Sequence, residues 1–255
     1  MFLRAGLAAV WVTCVAGMSA VSSEGQKEPI GVGISADYFT KYVWRGQLLN
    51  DESVFQPSVF LSKYGFTGGV WGNLDMTNSN GDSGSFTEFD TFLDYTAAVP
   101  GTDWLNFSVG GIYYDFPNTD FEDTTEVYGG LTLTKMPLTP SVKIYRDVDE
   151  IEGSYVQFGV GHTFEKLKTW SDTCYCNLLL GASVGYGSEG YNKGYALSDS
   201  AGFNDLTLTA GLPICIGSWT VKPSVNYAMM LDGDIRENTA ESDNFWAGVG
   251  ISTSF

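Results

Sequence analysis

Long apolar runs are missing from this chain of 255 residues. Past its N-terminal segment, no stretch approaches the ~18–20 consecutive apolar residues that a membrane-spanning helix needs. Cations are scarce too: 13 Lys and Arg stand against 30 Asp and Glu, a formal charge of −17. Nucleic acids and anionic membrane surfaces are recognised by basic patches, so neither is an expected partner. Histidine occurs once, at His162, and cysteine four times. A single imidazole leaves little for a base-activated nucleophile or a metal cluster, so the expectation is no enzyme, no metal and no cofactor.

Glycine (31), phenylalanine (16), tyrosine (14) and tryptophan (7) are plentiful instead, a composition suited to strands and turns. Arg4, the apolar run Ala5 to Val15 and the small residues Ala20, Ser22 and Ser23 read as a signal peptide over 1–23, with an exported chain over 24–255. In lipid, every backbone polar group must find a partner within the protein, which leaves helices and closed barrels. Without a spanning helix, the expectation is a barrel. The last segment, FWAGVGISTSF, fits that closely: Phe245, Ala247, Val249, Ile251, Thr253 and Phe255 share one face, and Trp246, Gly248, Gly250, Ser252 and Ser254 share the other.

Twelve segments carry such patterning: 30–47, 53–63, 65–76, 86–99, 104–115, 124–134, 140–149, 153–165, 174–187, 203–213, 218–230 and 243–255. Short connections such as Lys63-Tyr64-Gly65 alternate with longer polar ones such as 77–85, 188–202 and 231–242. That asymmetry separates inner turns from outer loops. The fold class is therefore all-β: a single antiparallel transmembrane β-barrel of twelve strands in the outer membrane, in contact with its lipids. Outward aromatics are expected in two girdles: Tyr42, Trp44, Tyr113, Tyr186, Tyr227 and Phe245 at the outer rim, and Tyr95, Phe164, Trp219 and Phe255 at the inner. Phe255 at the inner edge is the C-terminal aromatic that barrel-assembly machinery would read.

Charges gather on the opposite, lumen-facing lanes. Asp37, Lys41 and Arg45 lie four apart on the first segment, with Asp75 on the third and Glu88, Asp90 and Asp94 on the fourth. Glu126, Lys143, Asp147 and Lys222 add further lumen charges, and Trp71, Tyr128, Tyr145, Tyr155 and Trp246 narrow the interior. These residues read either as the lining of a narrow path for ions or small solutes, cation-preferring from its acidity, or as an ion-pair network that fills the barrel. The first gives a channel; the second gives a non-conducting structural or surface-interaction barrel. A rim enzyme acting on lipid is a third reading, and it would need His162 beside a serine. Cys174, Cys176 and Cys215 fall at the inner ends of neighbouring strands, where Cys215 has either of the other two as a disulfide partner.

One stretch carries a more specific likeness. Tyr42, Val43, Trp44, Arg45 and Gly46, then Gln56 and Pro57, then Gly65, Gly69, Val70 and Trp71 follow the order of an aromatic-hydrophobic-x-R-G strand, a Q-P return and a glycine-spaced third strand. This stretch resembles the Gcw_chp, or TorF-like, family of proteobacterial outer-membrane barrels. The resemblance covers about fifty residues and implies fold and location, with no catalytic residues carried over.

Overall fold

In the computed structural model, residues 29–255 other than 82, 197 and 240 are described; the expected signal peptide over 1–23 lies outside them. In chain order the elements are β1 (Gly31–Phe39), β2 (Tyr42–Trp44), β3 (Gln47–Asn50), β4 (Val54–Lys63), β5 (Phe66–Asp75), β6 (Phe86–Ala98), β7 (Leu105–Asp115) and β8 (Thr124–Leu133). They continue with β9 (Ser141–Asp147), β10 (Ser154–Ser171), β11 (Cys174–Gly187), α1 (Glu189–Tyr195), β12 (Gly202–Gly211), β13 (Ile214–Ile216), β14 (Trp219–Met230), α2 (Gly233–Asn238) and β15 (Asp243–Ser254). Setting aside β2, β3 and β13, twelve strands pair antiparallel in sequence, and β15 returns to β1 to close the barrel. Closure removes the open edges that lipid cannot satisfy.

The period-two pattern explains both faces. Ile34, Val59, Val70, Leu93, Val109 and Leu131 all project outward and are exposed, which in a membrane means exposed to acyl chains. Gly33, Ser35, Asp37 and their neighbours on the alternate lane face the lumen beside Ser252 and Gly250 of β15. Inner connections are tight. Tyr64 and Gly65, both at positive φ (52° and 84°), make the two-residue turn joining β4 to β5. A Cβ on Gly65 would lie 2.7 Å from the Thr96 carbonyl, so the site demands glycine for space as well as conformation.

The first strand is shorter than the alternation predicts. The segment read as 30–47 stops being barrel at Phe39, and the chain bends at Thr40 and Lys41. Tyr42–Trp44 and Gln47–Asn50 then form a separate two-stranded hairpin, turned on Arg45 (φ 43°) and Gly46 (φ 80°). Continued as a barrel strand, this segment would set Tyr42 and Trp44 against the outer headgroups. Folded back, it buries both rings together with Arg45, Gln47 and Asn50. Tyr42 and Trp44 therefore leave the expected outer girdle, whereas Tyr113, Tyr186 and Phe245 remain exposed, as do Phe164, Trp219 and Phe255 at the inner end.

Candidate functional site in the barrel lumen

The hairpin reaches the lumen because its turn has somewhere to go. A Cβ on Gly46 would meet Asp205 Cβ and Met230 Sδ, each at 2.6 Å, so the turn lies flat against β12 and β14. A non-glycine residue in the left-handed region is strained by about 1–2 kcal/mol, and Arg45 accepts that conformation with its guanidinium fully engaged. Nη1 donates to Glu126 Oε1 at 2.9 Å and Nη2 to Glu126 Oε2 at 2.8 Å. Nη1 also donates to the Tyr191 hydroxyl at 3.2 Å. Its Cζ lies 4.3 Å from the Tyr155 ring centre, 4.4 Å from Trp44 and 4.5 Å from Tyr145. A planar cation with a two-point carboxylate partner and aromatic faces around it uses every favourable property of arginine.

Around this clamp, tyrosines cap carboxylates. Tyr42 donates to Glu88 at 2.9 Å, Tyr114 to Glu126 at 2.9 Å, Tyr195 to Asp147 at 2.6 Å and Tyr155 to Asp205 at 2.6 Å. Asp75 takes a hydrogen bond from Asn73 at 3.0 Å, and Asn73 in turn accepts one from Gln56 at 3.0 Å. Those on strands lie near the outer ends, and all of these groups are buried. Tyr195 comes from α1, which folds into the outer mouth behind its N-cap Ser188 and also buries Tyr191 of the clamp. Both phenols are pushed well above the ordinary tyrosine range, first by burial and then, for Tyr195, by Glu126 and Asp147, so both stay protonated: Tyr195 donates to Asp147, and Tyr191 accepts from Arg45.

Among the described residues, the buried charges are Asp75, Glu88, Asp90, Glu126, Asp147 and Asp205 against Arg45 alone. Asp90 differs from the rest. It is fully buried, and the polar group beside it is a second carboxyl, that of Glu88.

Of the other residues read as lumen charges, Asp37 faces the lumen beside Gly250, with Lys222 as its cationic neighbour. Asp94 accepts from Tyr128 at 2.8 Å, and Lys143 lies 4.5 Å over the same ring. Asp37, Asp94, Lys143 and Lys222 keep partial access to solvent, so the inner half of the lumen is looser than the outer. Lys41 is not in the lumen lane. It occupies the bend after β1 and pairs with Glu241 of an outer loop at 2.8 Å. Arg45 reaches the lumen by the hairpin and not along β1.

Sequence reasoning missed Asp205, Tyr114, Tyr191 and Tyr195. For Asp205 a signal existed: it shares a lane with Thr207 and Thr209, opposite Leu206 and Leu208. For the α1 tyrosines none did, because an outer loop carries no lane parity.

The cysteine expectation is corrected. Cys174, Cys176 and Cys215 are free. Cys215 stands opposite Tyr175 in the β11–β13 register, so its side chain leaves on the face opposite to Cys174 and Cys176. A one-residue slip would be needed to bring two sulfurs together. His162 projects from the exposed face of β10 and packs edge-on against Phe164, with ring centres 4.5 Å apart.

A closed antiparallel barrel of twelve strands with an apolar outer face and a charged interior is an outer-membrane β-barrel protein. Among solved structures its fold is similar to that of the NanC porin, at a TM-score of 0.50 and 9% identity over 87% of this chain and 98% of that one. LpxR from Salmonella typhimurium (TM-score 0.48, 9% identity, 88% and 99% covered) and an outer-membrane channel from Pseudomonas putida F1 (0.44, 10%, 92% and 100%) are also similar. No protein-family model and no curated protein matches the sequence. The expectation that the chain is no enzyme does not stand: a barrel fold shared at 9% identity shows architecture alone and neither assigns nor excludes catalysis.

Proposed function

We propose that the protein is a narrow outer-membrane channel for ions or small solutes, preferring cations, whose passage is controlled by the Tyr42–Asn50 hairpin. The observation that carries this reading is the division of the lumen. A looser inner half, with Asp37, Asp94, Lys143 and Lys222 in reach of solvent, leads to an outer half filled by the Arg45 clamp. Six buried carboxylates against one guanidinium set a negative potential there, which favours cations over anions. The outer loops, with Asp51, Glu52, Glu122, Asp149, Glu150 and Glu152, would raise the cation concentration at the mouth. The fold shared with a porin supports the same reading.

Export through a signal peptide over 1–23, recognition of Phe255 by barrel-assembly machinery and membership of the TorF-like family belong to this proposal. They rest on the residues given above.

Planar-bilayer recording tests it. Wild-type protein should give small, cation-selective currents, and a variant with Tyr42–Asn50 replaced by a short Gly-Ser linker should give larger ones. Absence of current from both folded proteins would leave the second reading, a filled structural barrel, which the completeness of the tyrosine–carboxylate caps favours.

A further inference from the structure

Gly111 and Gly129 stand on the lipid-facing lane, where the other strands carry bulk. Gly111 lies between Leu93 of β6 and Val127 of β8, and Gly129 between Val109 of β7 and Ile144 of β9. Their backbones do not call for glycine, since neither has a positive φ. Space does not call for it either. A Cβ on Gly111 would meet nothing closer than the Glu126 carbonyl at 3.5 Å, and one on Gly129 nothing closer than the Ser108 carbonyl at 3.9 Å. Gly110 is the contrast: it faces the lumen, and an added Cβ there would lie 2.5 Å from Tyr128. Glycine weakens a strand interior, and where the fold itself does not need it, it marks a surface that a ligand approaches closely.

The hollows these glycines leave are two open grooves on either side of Val127. One, of about 410 Å³, runs between β8 and β9 over Gly129 and is walled by Leu131, Val142 and Ile144. The other, of about 560 Å³, runs over Gly111 and is walled by Leu93, Val109 and Tyr113. Both have the size of ligand pockets, and their apolar walls suit acyl chains. Arg146 stands at the outer end of the first groove, in register with Val127. Among the lipid-facing residues of the described strands, it is the one cation of the outer half. It makes no ion pair among the described residues, and its guanidinium has only a long contact, 3.4 Å, to the Ser154 hydroxyl. Directly above it Val148 and Thr125, joined by a backbone hydrogen bond of 2.9 Å, bring no charge. Asp123, on the loop beyond, is held by the Tyr113 hydroxyl at 2.7 Å.

From this geometry we propose that the face of β6–β9 holds one anionic lipid of the outer leaflet, with acyl chains in the two grooves and a headgroup phosphate on Arg146. A guanidinium presents paired donors that match phosphate oxygens, and a basic group beside an apolar groove is how a headgroup is selected over its neighbours. The site lies outside the lumen, so it stands whether or not the barrel conducts.

Native mass spectrometry of the folded protein released from detergent, with bisphosphorylated lipid A as the probe, measures the binding. The wild type should retain one lipid A in preference to phosphatidylglycerol. Gly111→Leu and Gly129→Leu, which fill the grooves, and Arg146→Gln, which removes the charge, should each weaken retention about tenfold. Ala247→Leu, on the lipid face across the barrel, should change nothing. The open space around both glycines lets the variants fold, which heat-modifiable gel mobility checks. Retention unaltered in all three folded variants would overturn the site and leave Arg146 an ordinary interfacial anchor. Phosphatidylglycerol retained as well as lipid A would overturn the assignment to the outer leaflet. So would a wild-type dimer that Gly129→Leu abolishes, since a second copy of the chain would then be the occupant.

Discussion

Arg45 and Glu126, separated by 81 positions in the chain, meet in the lumen through two parallel nitrogen–oxygen contacts of 2.9 and 2.8 Å. The first belongs to an outer hairpin and the second to β8, so the pair ties the plug to the wall. Each group is almost wholly withdrawn from solvent, at 1% side-chain exposure. Removing one partner would strand the other, and that cost exceeds what the pair itself contributes.

Arg45→Ala should therefore lower stability by about 3–5 kcal/mol, read as a shift in the urea midpoint of barrel folding into lipid vesicles. Arg45→Lys should recover little, because an ammonium cannot make the two-point contact or stack on Trp44, Tyr145 and Tyr155. Near-complete rescue by lysine would show that charge alone is what the site uses.

Gly46→Ala should dislodge the hairpin while sparing the barrel. The new methyl would press on Asp205 and Met230 in a left-handed backbone, at about 1–2 kcal/mol for the conformation alone. Protease cleavage within 42–50 should accelerate, and the heat-modifiable gel mobility typical of a folded barrel should persist.

Leu93→Arg tests the lipid face. Leu93 projects outward from the middle of β6 and is 57% exposed, so a charge there should cost about 2–4 kcal/mol by vesicle-folding titration. Ser108→Asn, on the lumen lane of β7, should cost far less.

Thiol chemistry checks the β11–β13 register. Alkylation of unreduced protein should modify Cys174, Cys176 and Cys215, with the buried Cys176 slowest. A disulfide to Cys215 would mean that the strands pair one residue out of the register described here.

The barrel was legible because lipid imposes it: alternation, the missing helix and the turn asymmetry all answer to one solvent. Ile34 and Val249 could be assigned to the lipid and Gly250 to the lumen by parity alone. Parity failed where the solvent changed. Tyr42 and Trp44 continue the alternation of β1, but the left-handed pair Arg45–Gly46 turns the segment into a compartment where a two-faced pattern has no meaning. Tyr191 and Tyr195 lie in a helix of seven residues, capped by a serine, that no barrel periodicity could flag. The charged lanes identified Glu88, Asp90 and Glu126, yet the one arginine that organises them arrives from a loop.

The plug also orders events during biogenesis. Its hairpin follows the first strand of the chain, but the groups it docks on are spread over β6, β8, β9, β10, β12, β14 and α1. The full set of those contacts cannot form until nearly the whole sequence has been delivered to the sheet, because Tyr191, Asp205 and Met230 come late in the chain. Docking is thus a late event with high contact order, registering in one place that every wall has arrived. A truncated or misregistered barrel would leave the hairpin unseated and its aromatic side chains in water, a visible mark of incomplete assembly.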